Sequence, residues 1–169
     1  MTDPARLYEE DWYAWTQNQA ALLRAWPPEL RPNALDLEHI AEEIEDLGKE
    51  RLAQIRGLTR RLVEHLLKLE FLDRPESHSH WRAEVRAFRQ DLMDRLNRKE
   101  EPTLWSRREA IYRAEWSKGL DLYFERLEDR TARRAPAYTD LSGDAPRYDL
   151  DSQVLNPDWY PAARTDRAA

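Results

Sequence analysis

Cysteine is absent from this chain of 169 residues. That excludes disulfides, thiolate zinc sites and cysteine nucleophiles, and it suits a reducing cytoplasm. Glycine is nearly as scarce: four residues, scattered singly, cannot build a Gly-rich phosphate loop, and no Gly-x-Ser-x-Gly elbow occurs. Nucleotidase and hydrolase readings of those types fall away. No apolar run approaches the roughly 20 residues that a membrane span needs, and Met1 to Glu10 is polar, so the expectation is a soluble cytoplasmic protein with no membrane contact. A strongly basic arm is also missing. With a formal net charge of -6, generic attraction to nucleic acid is not expected.

What the chain does have is helical periodicity. Between Leu35 and Leu72, apolar residues recur every three or four positions: Leu37, Ile40, Ile44, Leu47, Ile55, Leu58, Leu62, Leu66 and Leu69 fall on one stripe, with Arg51 or Gln54 filling its gap. No Pro interrupts it. At about 1.5 Å per residue this helix would span roughly 50 Å, and its apolar side requires neighbours to cover it. Gly48 and Gly57 inside it mark close helix contacts or a bend.

Three further helices are read around this one. Asp3 and Pro4 suit an N-cap and first helical position for a helix carrying Tyr8, Trp12, Trp15, Gln19, Leu22 and Trp26, which Pro27 and Pro28 end. Asn33 or Asp36 can cap the long second helix. A turn from Asp73 to Ser77 precedes a third helix with Trp81, Val85, Phe88, Leu92 and Leu96, and Pro102 stops it. Thr103 then caps a fourth with Leu104, Ile111, Tyr112, Trp116, Leu120, Tyr123 and Leu127. Short connections favour antiparallel neighbours, so the expected fold is all-α, an up-and-down bundle of about four helices. The expected organisation is a bundle domain over 1–134 and an extended tail over 135–169, with one helical turn around Asp149 to Leu155. Trp159 and Tyr160, between Pro157 and Pro161, read as a clamp docking the tail on the bundle.

Asp11, Tyr13, Ala14, Trp15, Gln19, Leu22, Leu23 and Arg24, the run Glu42-Glu43-Ile44-Glu45-Asp46-Leu47-Gly48, and His65-Leu66-Leu67-Lys68 resemble, in this order and spacing, the bacterial domain-of-unknown-function family twenty-nine. The likeness continues through Ser79, Trp81 and Arg89 to a closing pattern at Tyr148, Leu150, Leu155 and Pro161, and so covers nearly the whole chain. It implies an all-α bundle of bacterial origin, mainly cyanobacterial and proteobacterial, with no established activity to carry over. The chain departs from the pattern at Leu69, where a Trp is usual, and at His80, where a Ser precedes the Trp. A site built on His80 would therefore be peculiar to this protein.

Candidate chemistry is sparse. Of the acidic run, Glu42, Glu45 and Asp46 share one helix face while Glu43 borders the apolar stripe, and a solvated or ion-paired face is the preferred reading. Its expected partners are Arg82, Arg86, Arg89, Arg95 and Arg98 of the third helix. His39 lies three residues from Asp36 and from Glu42, but no Glu-x-x-His occurs, so a di-iron bundle fails on ligand count. His65, His78 and His80 would approach one end of a hairpin through Pro75; three imidazoles and a water form a known open zinc arrangement. The alternative for His65 is a buried histidine bonded to a carbonyl or to Glu70. Arg51, Arg56, Arg60 and Arg61 make the lower half basic, yet Glu64, Glu84, Asp91 and Asp94 interleave with that charge. Gln19, on the apolar stripe, is expected to bond across the bundle to Glu43 or His65, since a buried amide needs partners.

These residues point first to a non-enzymatic helical module that binds a protein partner or a second copy of itself, without a cofactor. The candidate polar-core and motif residues are Gln19, Glu43, Asp46, His65, Trp81 and Arg89. The alternatives are an enzyme using a divalent metal at His65, His78 and His80, and, more weakly, a nucleic-acid-associated protein.

Overall fold

The computed structural model describes residues 4–127, 136–143 and 145–164. Among them every regular element is helical: α1 (Pro4–Glu10), α2 (Trp12–Arg24), α3 (Leu37–Phe71), α4 (Pro75–Arg95), α5 (Pro102–Ser106), α6 (Arg108–Glu125) and α7 (Tyr138–Leu141). A short 3₁₀ turn covers Pro28–Leu30 and one wide π-type turn covers Leu150–Val154. The long helix read from the sequence is α3, uninterrupted over 35 residues. Asp36 caps it, accepting the His39 amide N–H at 3.3 Å. The cap proposed at Asp3 lies outside the described residues.

Two expected helices are each split. Asp11 leaves helical geometry (φ -160°, ψ 80°) and its carboxylate accepts the Ala14 N–H at 3.0 Å, so the first helix becomes α1 and α2, and Trp26 lies beyond its end. The fourth divides at Arg107 into α5 and α6. Thr103 caps neither: Pro102 is the first residue of α5, and the Thr103 N–H is itself capped by Asp11 at 2.8 Å.

The chain forms two compact units, one of residues up to Ile55 with Arg95–Arg108, the other of Arg56–Asp94 with the residues from Glu109 on. In the first, α2 runs antiparallel to the opening half of α3. A Cβ at Gly48 would overlap Thr16 Oγ1, so the missing side chain is what allows the two helices to touch there. The Arg24 guanidinium bonds Glu45 at 2.7 Å and sits 3.6 Å from Glu38. Within the acidic run, Glu45 thus pairs with Arg24 of α2 and with Lys49 of its own helix, and Asp46 pairs with Lys49, in place of the arginines expected from α4.

Two buried carboxylates hold the helix starts of this unit reciprocally. Asp11 serves α2 and α5, while Glu101, the residue before α5, accepts the Tyr13 N–H of α2 at 3.0 Å. Free N–H groups and the positive end of a helix both favour a carboxylate there. Burial pushes the Glu101 carboxyl above its ordinary value.

In the second unit, the closing half of α3 turns through 72–74 into antiparallel α4. Helix α6 runs parallel to α3, since Arg60 meets Glu115, Val63 meets Gly119 and Glu64 meets Arg126 at successively later positions. The up, down, up order is the expected one. Leu62, Val63, Leu66, Leu67, Leu69, Val85, Leu92, Tyr112, Leu120 and Tyr123 are buried here. Of the two glycines questioned in α3, only Gly48 marks a close contact; nothing lies near a Cβ placed at Gly57.

Candidate functional site

Polar groups concentrate in the second unit, on the last turns of α3. Glu64 is fully buried; its Oε1 accepts Lys68 at 2.7 Å and Arg126 at 3.0 Å, and its Oε2 has no hydrogen-bond partner. Six residues on, buried Glu70 receives the fork of Arg147 at 2.6 and 2.9 Å and the Tyr148 hydroxyl at 2.6 Å, while Arg164 Nε stands 3.2 Å away. Both arginines also lie against the Phe71 ring. Burial, with Glu70 adjacent, drives the Tyr148 phenol far above its ordinary range and keeps it a donor.

Arg89 of α4 is the second anchor. It is buried, and it donates to the Val154, Trp159 and Gln153 carbonyls at 2.7, 2.8 and 3.1 Å. Tyr160 lies beneath both Arg82 and Arg89, and the Trp159 ring centroid is 5.5 Å from that of Tyr148. The Trp159–Tyr160 pair therefore clamps its segment against Tyr148, Arg82 and Arg89. Tyr112 and Trp116 of α6 hold two further points by donating to the Tyr148 and Leu141 carbonyls. A third buried carboxylate, Glu115, is bonded by Arg60 and Lys118, with Arg56 Nε 3.7 Å away. Burial pushes Glu115 up; Arg60 and Lys118 more than offset this, leaving it below its ordinary value.

The three histidines do not converge as a metal site. His65 is buried, with Nδ1 2.8 Å from the Arg61 carbonyl and Nε2 2.9 Å from Glu84 Oε2. His80 Nε2 approaches that same oxygen at 3.3 Å, so a carboxylate oxygen fills the point where two ligand nitrogens would meet a metal. His78 turns away, toward the Leu72 carbonyl at 3.4 Å and the Trp81 ring. Among the described residues no group of three or more His, Cys, Asp or Glu is placed to hold a metal ion. The carbonyl contact proposed for His65 is present, but its carboxylate is Glu84 and not Glu70. Burial pushes the imidazole pKa down.

The remaining candidates separate. Trp81 is buried in the core, as is Arg89. Glu43 and Asp46 are exposed, and Asp46 bonds Lys49 at 2.9 Å. The Gln19 amide donates to Asn18 at 3.4 Å rather than to Glu43 or His65. The amide that reaches α3 is Gln17, 3.5 Å from the Glu45 carbonyl, because the inward face of α2 is set by Tyr13, Thr16 and Ala20. Sequence reasoning did not identify Glu64, Glu70, Glu115 or the pair Asp11 and Glu101 as buried anchors. For Glu70 a signal existed, since it falls four residues after Leu66 and borders the stripe of Leu62, Leu66 and Leu69, whereas Glu64, two residues from both Leu62 and Leu66, lies on the opposite side of the helix.

These features define an all-helical protein whose buried charges fasten its own segments together. The chain belongs to the family described as Domain of unknown function DUF29, which matches residues 7–160. It is similar to an alpha-helical protein of unknown function from Rhodospirillum rubrum, known from a crystal structure: 28% identity, TM-score 0.58, covering 89% of this chain and 92% of that one. None of the curated proteins matches. No helix among the described residues is long and apolar enough to cross a membrane.

Proposed function

We propose that this is a non-enzymatic helical interaction module of the cytoplasm, docking another protein along the opening half of α3. The observation that carries this reading is a row at helical spacing, Ile40, Ile44 and Leu47, not covered by the rest of its unit: Ile40 is 38% and Leu47 50% exposed, and Ile44 between them is half-buried. Scattered exposed apolar residues are ordinary, whereas a contiguous row is the usual mark of a contact surface. Leu22 and Trp26, 54% and 41% exposed, add apolar surface in the same unit. The polar clusters support this reading, since their charged groups bond one another or hold backbone. Arg51 engages Glu101 and Trp12, and Arg56 and Arg60 face Glu115, which also weighs against a phosphate-binding role for that set.

The test is photocrosslinking in cells from a reactive residue placed at Leu47, with Gln90 on exposed α4 surface as control. Discrete protein adducts from position 47, absent from position 90, are expected. Equal or absent adducts at both positions overturn the reading.

A further inference from the structure

We infer that the open row on α3 takes a basic amphipathic helix of a different protein, and not a second copy of this chain. The inference rests on the docking role proposed above and adds the chemistry of the occupant. Residues Ile40, Ile44, Leu47, Arg51 and Gln54 alternate by four and three, the spacing of a coiled-coil seam. One flank of that seam carries Asp36, Glu43 and Glu50, a carboxylate at every seventh position and all exposed. The opposite flank is Ala41 and Gly48, which are buried, Gly48 directly against Thr16.

The seam thus offers an incoming helix apolar knobs and one charged border, of a single sign. The cation within it, Arg51, is drawn off by Glu101, 3.7 Å away, and lies over Trp12 at 5.4 Å. Gln54 closes the far end, accepting from Arg95 and donating to Glu50. Residues flanking a seam select partner and orientation by charge.

A second copy fails this selection in both orientations. Antiparallel pairing sets the two acidic borders opposite each other, and like charges there repel. Parallel pairing would set each acidic border against Ala41 and Gly48 of the other copy, which are already covered by α2. A helix bearing Lys or Arg beside its own apolar stripe sets cations opposite all three carboxylates, of which Asp36 already bonds His39 and Glu50 accepts from Gln54.

The experiment titrates the full-length protein with two synthetic amphipathic helices of identical apolar stripe, one flanked by Lys and one by Glu, by fluorescence anisotropy. It is repeated on the Glu43→Lys, Glu50→Lys double variant, with circular dichroism confirming its helix content. The Lys-flanked peptide is expected to bind at least about tenfold tighter, a difference of about 1.4 kcal/mol. Added salt should weaken it, and the double variant should reverse the preference. Equal binding of the two peptides, or binding of neither, overturns the inference. So does a dimer in sedimentation equilibrium that Leu47→Lys dissolves, although that result leaves the docking role standing. Failure of the crosslinking test removes the docking role itself.

Discussion

Single side chains of the second unit carry consequences out of proportion to their size. Arg89 satisfies three carbonyls from one planar fork, a geometry that Lys, a compact point charge, cannot reproduce. Arg89→Lys is expected to cost about 1–3 kcal/mol, read by urea unfolding, because carbonyls are left without donors. Glu70→Gln removes the charge that holds Arg147 and Arg164 and should raise amide exchange across 147–164 while leaving α3 protected. In the first unit His39 supplies a pH readout. Its Nδ1 lies 2.6 Å from the Asp36 carboxylate, a hydrogen bond that lifts the imidazole pKa above its ordinary value. A raised folded pKa means the contact contributes below the ordinary imidazole value of about 6.5 and is lost as pH rises through the folded one. The His39 ring resonance should titrate late, and Asp36→Asn should return it to the ordinary midpoint. An unchanged midpoint in the variant would contradict this.

At the scale of elements, the glycines of the long helices are not equivalent. A Cβ at Gly48 would overlap Thr16, and one at Gly119 would lie 2.7 Å from Val63 Cβ, whereas Gly57 has open space. Gly48→Ala and Gly119→Ala are each expected to destabilise by about 1–3 kcal/mol through forced helix separation. Gly57→Ala should instead stabilise by about 0.5–1 kcal/mol, because alanine loses less backbone entropy in a helix. Thermal unfolding of the three variants distinguishes these signs. The same contact explains how α3 was legible in extent and not in orientation. Its length followed from an apolar period unbroken by Pro, but Ile40, Ile44 and Leu47 read as core because they are large. The inward face there is Ala41 and Gly48, whose small size lets α2 approach, so burial followed backbone distance rather than hydrophobicity. The breaks at Asp11 and Arg107 were hidden for a related reason. Helix-compatible residues flank both, and although Asp11 caps α2 locally through the Ala14 N–H, its other bond is to Thr103, 92 positions away.

Over the whole molecule, acid should act unevenly. Glu115, held below its ordinary value, contributes stability above the unfolded carboxyl pKa of about 4.3 and loses it as pH falls through the folded value. Glu101, held above it, has the opposite sign: its ionised form is penalised as pH rises through that range, so acid relieves it. On going from about pH 7 to about pH 3, amide protection around Arg60 and Glu115 is expected to fall before that of Tyr13, after correction for intrinsic exchange. The all-helical class was legible from periodicity alone. The charge network was not, since pairs such as Glu70 with Arg147 join residues 77 positions apart, and no local pattern records that distance.

Arg89 grips Gln153, Val154 and Trp159 through their carbonyl oxygens, which every amino acid possesses. Evolution can therefore rewrite those three positions, within the space each side chain occupies, without loosening this grip. Arg89 itself has no such latitude. Across related chains it should stand invariant without covarying with the three residues it holds, so a contact map inferred from correlated substitution would overlook one of the firmest attachments in the fold.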